Sequence, residues 1–80
     1  MRPEERIRNS DNPPEVVAAL LRAYEATWAQ INHSFKSDED AADAQDRLAR
    51  ILTSYAKVLD PAAYEPMALM LMRMNFPFIA

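Results

Sequence analysis

Two apolar stripes at helical spacing constrain this chain more than anything else in it. Val17, Leu20, Leu21, Tyr24, Trp28, Ile31 and Phe35 follow the three-and-four spacing of one helical face. At 100° per residue they occupy roughly 100° of arc. Glu15, Arg22 and His33 project from the opposite side, with Glu25 on the flank. Asn12-Pro13-Pro14-Glu15 stands where such a helix should start. Asn12 is the expected N-cap, Pro13 takes the first helical position, and Glu15 reaches back as in a capping box. Pro14 still falls where no intrahelical donor is needed.

The second stripe is Ala41, Ala44, Leu48, Ile51, Leu52, Tyr55 and Leu59, preceded by Ser37-Asp38-Glu39-Asp40. Ser37 is its expected N-cap. Its first half is alanine, which lets a neighbouring helix approach closely. Asp43 with Arg47 and Asp46 with Arg50 are i,i+4 pairs in the favourable order, each contributing about 0.2–0.5 kcal/mol. Asp60-Pro61 stops the helix, because proline disfavours α geometry in the residue before it.

The third segment is less regular. Asp60 to Tyr64 predicts a capped turn, with a break near Glu65 and a new helix opening on Pro66. From Met67 onward no polar residue appears before Arg73. A helix apolar all round requires cover all round. Met72, Met74, Phe76 and Phe78 also alternate with Arg73, Asn75 and Pro77, a strand period. No other segment offers a strand to pair with, and methionine and leucine favour helix to about residue 74. The expectation is therefore an all-α, small three-helix domain over residues 13–80. An antiparallel pair, 14–35 and 38–59, is closed by a shorter apolar helix at 66–75. Residues 1–12 read as a flexible, charged, solvated tail with Ile7 as its one large apolar side chain past the start.

Composition removes whole classes of function. The 80 residues contain no cysteine, so disulfides, thiolate metal sites and cysteine nucleophiles are absent together. Glycine is also absent, which excludes Walker, dinucleotide-binding and EF-hand loops, each of which needs positive φ or close backbone approach. A domain this short buries only about 60–65% of its unfolded surface, so a ligand site would be a groove or a subunit boundary. The net charge of −3 provides no basic footprint for nucleic acid. Arg2, Arg6 and Arg8 are interleaved with Glu4 and Glu5. No apolar run reaches the roughly 18 residues of a membrane helix, and the N-terminus lacks the apolar stretch of a secretory signal. A soluble, cytoplasmic protein without a cofactor is expected.

Candidates for chemistry are thin. His33, the single histidine, points away from the core stripe and suits the last turn of a helix, where positive charge favours the dipole. Asp38, Glu39 and Asp40 are what a helix N-terminus favours irrespective of any cation. Tyr24, Trp28 and Tyr55 lie on core stripes. Ser10, Ser34, Ser37 and Ser54 fall in the tail, at helix boundaries or off the core. An enzyme would need a site assembled between subunits.

The C-terminus is different. Met67, Met70, Met72 and Met74, with Leu69, Leu71, Phe76, Phe78 and Ile79, place nine large apolar side chains in the last fourteen residues. Two helices cover one side of such a segment, not both. Unbranched methionine adapts to irregular surfaces and is over-used at protein-binding sites. A non-enzymatic protein working through protein–protein contact is therefore expected, as a homodimer. Its contact residues are Met67, Met70, Leu71, Met72, Met74, Phe76 and Phe78, with Trp28 or Tyr64 at the edge. The alternative is a small DNA-binding or antitoxin-like regulator. Against it, the second helix carries only Arg47, Arg50 and Lys57 beside its acids.

Overall fold

A computed structural model of the chain describes residues 2–31 and 35–75. Among these residues the architecture is all-α, with four helices in the order α1 (Pro3–Arg8), α2 (Pro14–Ile31), α3 (Asp38–Tyr55) and α4 (Tyr64–Asn75), and a 3-10 turn, Pro61–Ala63, leading into α4. The two long helices and the closing C-terminal helix are the three that the stripes predict. No residue among those described has positive φ, as expected of a chain without glycine.

The first correction concerns residues 1–12. Pro3–Arg8 is helical rather than irregular, and Ile7 is fully buried. The local pattern suits a helix. Pro3 stands in the first turn with Glu4 and Glu5, and Arg6 and Arg8 occupy the last turn, so acid and base complement the helix dipole at both ends. Six residues do not hold a helix alone. Burial of Ile7 contributes about 1.5–3 kcal/mol. Arg6 also reaches α3, its Nη2 and Nε each 3.0 Å from Asp46 Oδ1. Asp46 Oδ2 accepts from Arg50 Nε at 2.8 Å, the i,i+4 pair expected of that spacing. One carboxylate thus joins two elements, although partial exposure keeps each pair at about 0–1 kcal/mol.

The start of α2 is displaced by one residue. The Pro13 carbonyl accepts from the amides of Val16 and Val17, both at 3.0 Å, so Pro14 opens the helix. Asn12 does not cap it. Its Nδ2 donates to Ser10 Oγ at 2.9 Å, and the Ser10 hydroxyl donates to the Ile7 carbonyl. These side chains close the turn after α1. At the other end α2 is described as far as Ile31, residues 32–34 lie outside the described residues, and Phe35 is not helical. Phe35 lies beyond the helix and stacks on Trp28, with ring centroids 5.4 Å apart.

Burial on α2 is centred differently from its hydrophobic stripe. Ala19, Leu20, Ala23, Tyr24, Thr27 and Ile31 are buried, whereas Val17, Leu21 and Trp28 are half-buried. At 100° per residue the centre of burial lies roughly 70° from the stripe's centre, on the small-residue side. Small side chains let a neighbouring backbone come close, and close approach is what excludes water. Thr27 is enclosed there, with no partner for its hydroxyl among the described residues.

Helix α3 begins as expected, with Ser37 Oγ accepting from the Asp40 amide at 3.1 Å. It ends at Tyr55 instead of residue 59, and a turn carries the chain to Asp60. Ala44, Leu48, Ala49, Leu52 and Ala56 are buried, while Tyr55, expected in the core, is 42% exposed. No break occurs at Glu65. The 3-10 turn passes directly into α4, and Pro66 falls at the helix's third position, still inside the turn whose donors have no helical acceptor. Tyr64, expected at an interface edge, is a core residue whose hydroxyl donates to the Ala56 carbonyl at 2.9 Å. At the far end Arg47 Nη1 reaches Asn75 Oδ1 at 3.4 Å, so α3 and α4 run antiparallel.

Replacement of Ile7 by alanine should destabilise the fold by about 2–4 kcal/mol, measured by urea denaturation. A loss below about 0.5 kcal/mol, the scale of surface substitutions, would return residues 1–12 to the solvated tail.

Candidate functional site

Helix α4 has two unlike faces. Tyr64, Ala68 and Met72 are buried against the other helices. On the outer side, Met70 is 55% and Met74 71% exposed. Pro66, Leu69, Met70, Arg73 and Met74 line one shallow, open depression. The apolar segment therefore lacks the all-round cover its composition calls for. The thinness of the domain is the reason: its shortest extent is 17 Å, about two packed helices deep, so among the described residues no element lies outside α4.

The expected contact residues divide accordingly. Met70 and Met74 stand on the outer face, and Met67 and Leu71 are half-buried at its margins. Met72 is fully buried and belongs to the core, so it is removed from the contact set. Its position two residues from Met70 and Met74 places it on the opposite side of the helix. Phe76 and Phe78 lie outside the described residues, as does the strand alternative for the last residues. Pro66, Leu69 and Arg73, which are not among the expected contact residues, line the same depression as Met70 and Met74. The signal was present, because 66, 69, 70, 73 and 74 follow the i, i+3, i+4 pattern of one helix face.

Two rows of side chains run along this side of α4 at i,i+4 spacing. Leu69 and Arg73 form one, with the exposed Glu65 at its margin beside α2, and Pro66, Met70 and Met74 form the other. Glu65 accepts a hydrogen bond from Gln30 Nε2 at 3.1 Å. Arg73 is exposed and has no ion-pair partner among the described residues.

Other parts of the surface hold less. A groove between α2 and the 3-10 turn is lined by Ala19, Ala23, Ala26, Pro61 and Ala62, with Arg22 and Glu65 beside them. It presents small apolar side chains and no convergent set of catalytic groups. Among the described residues no group of three or more histidine, cysteine or acidic side chains is placed to hold a metal ion. No helix among them is long and apolar enough to cross a membrane. His33 and Ser34 lie outside the described residues. Tyr24 sits beneath α1. Burial, reinforced by the negative charge of Glu4, pushes its phenol up to about 12 from an ordinary 10. A group protonated so firmly at neutral pH is no general base.

No family model matches the chain, and no curated protein or solved structure is significantly similar to it.

Two outcomes follow from this geometry. Because the folded state holds the Tyr24 proton more tightly than the unfolded chain does, its contribution to stability is complete below pH 10 and is lost as pH rises towards 12. Tyr24→Phe should flatten that part of the stability profile in alkaline denaturation; an unchanged profile would contradict the burial of the phenol. Met72→Ala should cost about 2–5 kcal/mol, and Met70→Ala no more than about 0.5 kcal/mol, both by urea melts. Equal losses would mean that the faces of α4 are assigned the wrong way round.

Proposed function

We propose that this chain is a non-enzymatic interaction protein whose working surface is the outer face of α4 and whose first partner is a second copy of itself. The observation that carries this reading is the pair of exposed methionines, Met70 and Met74, which share a helix face with Pro66, Leu69 and Arg73. Clustered exposed apolar side chains are uncommon on a monomer and mark contact surfaces. Unbranched methionine is the side chain best able to conform to such a contact.

Contact formed by one twelve-residue helix per copy falls in the small class of specific interfaces, below about 1,200 Å² in total. Association of this kind is reversible and depends on concentration. Such a protein acts by joining and releasing partners rather than by forming a permanent scaffold. The DNA-binding alternative draws no support from the disposition of its arginines. Arg6 and Arg50 both engage Asp46, and Asp43 lines the same depression as Arg47 and Arg50, so acids offset much of the positive charge a phosphate contact would use.

Sedimentation equilibrium over a concentration series tests the proposal. The native chain should approach twice the mass of one chain at high concentration. Met70→Glu combined with Met74→Glu should keep it monomeric with its helical circular dichroism intact, because both positions are exposed. A native chain that stays monomeric throughout, or a double variant that associates as before, would refute it.

A further inference from the structure

We infer that two copies pair through antiparallel α4 helices, about a two-fold axis passing between Leu69 and Met70, with each Glu65 set against Arg73 of the partner subunit. The inference rests on the reading that α4's outer face is a self-association surface, and specifies how that face recognises itself.

An isologous contact requires a surface complementary to its own rotated image. The two rows on α4 satisfy this condition. In an antiparallel pair with the axis perpendicular to both helices, a residue on one edge of the face meets the same edge of the other copy, with its order reversed. Reversal of the row Glu65, Leu69, Arg73 brings Glu65 to Arg73 of the partner subunit and Leu69 to its own counterpart. Reversal of the row Pro66, Met70, Met74 sets Pro66 against Met74 of the partner subunit and Met70 against its own counterpart. Both reversals share one axis. Glu65 and Arg73 lie eight residues, or about 12 Å, apart along the helix, so the two ion pairs bracket the apolar centre.

Charge disfavours the competing arrangement. In a two-fold parallel pair each edge of the face meets the other edge, so Glu65 and Arg73 would lie against the partner's proline and methionine row and neither would meet an opposite charge. Both side chains are exposed. Arg73 has no ion-pair partner among the described residues, and the Gln30 contact engages one Glu65 oxygen, Oε1, leaving Oε2 to accept a guanidinium. The charges give direction and register, and the methionines and Leu69 supply the apolar contact.

Single charge reversals and their mixture test the pairing. Glu65→Arg alone and Arg73→Glu alone should each weaken self-association about tenfold, since each variant carries two like-charge contacts per dimer. An equimolar mixture of the two variants should associate like the native chain, because in the mixed dimer the reversed side chains face opposite charges and so do the unreversed ones. Circular dichroism of each variant confirms that the helices are retained. Reversals without effect, in a native chain that does dimerise, overturn the antiparallel pairing and leave the contact surface standing. A mixture no stronger than its components also overturns the pairing. A native chain with no tendency to dimerise removes both the pairing and the surface it depends on.

Discussion

Everything in this fold is arranged around the small-residue side of α2. Ala19, Ala23 and Thr27 let neighbouring elements approach the α2 backbone closely, while Leu20, Tyr24 and Ile31 fill the space beside them. In a chain of 80 residues such close approach is how a core excludes water without many large side chains. It has a local cost, since Thr27 brings a hydroxyl into that core with no partner for it among the described residues, and an unsatisfied buried group of this kind costs about 1–3 kcal/mol. Tyr64 behaves differently. Its ring is buried while its hydroxyl caps the Ala56 carbonyl, which ties the end of α3 to the start of α4.

Seating every element on α2 and α3 leaves no layer beyond them. The short helix α1 is absorbed on one side through Ile7 and the Arg6–Asp46–Arg50 chain of charges. Helix α4 contributes Ala68 and Met72 to the interior and turns the rest of an apolar sequence outward. The exposed methionines are thus a consequence of domain size as well as a feature of sequence. A larger domain would cover them, whereas a small one has to meet another molecule to do so. Titratable groups gather in two open depressions, Arg2, Glu4, Glu5, Arg8 and Glu25 in one and Asp43, Asp46, Arg47 and Arg50 in the other, while Tyr24, whose ionisation among the described residues is clearly altered, is a buried neutral phenol.

The helices were legible because amphipathic periodicity is a long, redundant signal. Seven positions per stripe survive one or two exceptions, and Ser37 announced α3 at the residue where it begins. What failed was finer. Hydrophobicity gave weight to Trp28 and Tyr55 over Ala23 and Ala49, but packing rewards closeness of approach as much as bulk, so the buried seams moved towards the alanines. In α1, alternating glutamates and arginines looked like charge cancellation. Their order, acids first and bases last after a proline, was in fact a helix-dipole pattern too short to register by periodicity. Near Glu65 the proline rule was applied two positions too strictly, because Pro66 needs only to lie within the first turn. The contact set expected from composition divides on the structure, with Met70 and Met74 exposed and Met72 in the core. Met72 was grouped with its neighbours by composition, although helical geometry alone separates it from Met70 and Met74.

Methyl resonances of the methionines, followed by NMR through a dilution series, test the central claim most directly, namely that α4 keeps one face for the core and offers the other to a second chain. The account predicts that the Met70 and Met74 methyls shift with concentration while Met72 holds constant. Methyl signals that all stay fixed on dilution, or a Met72 signal that moves with the others, would contradict it.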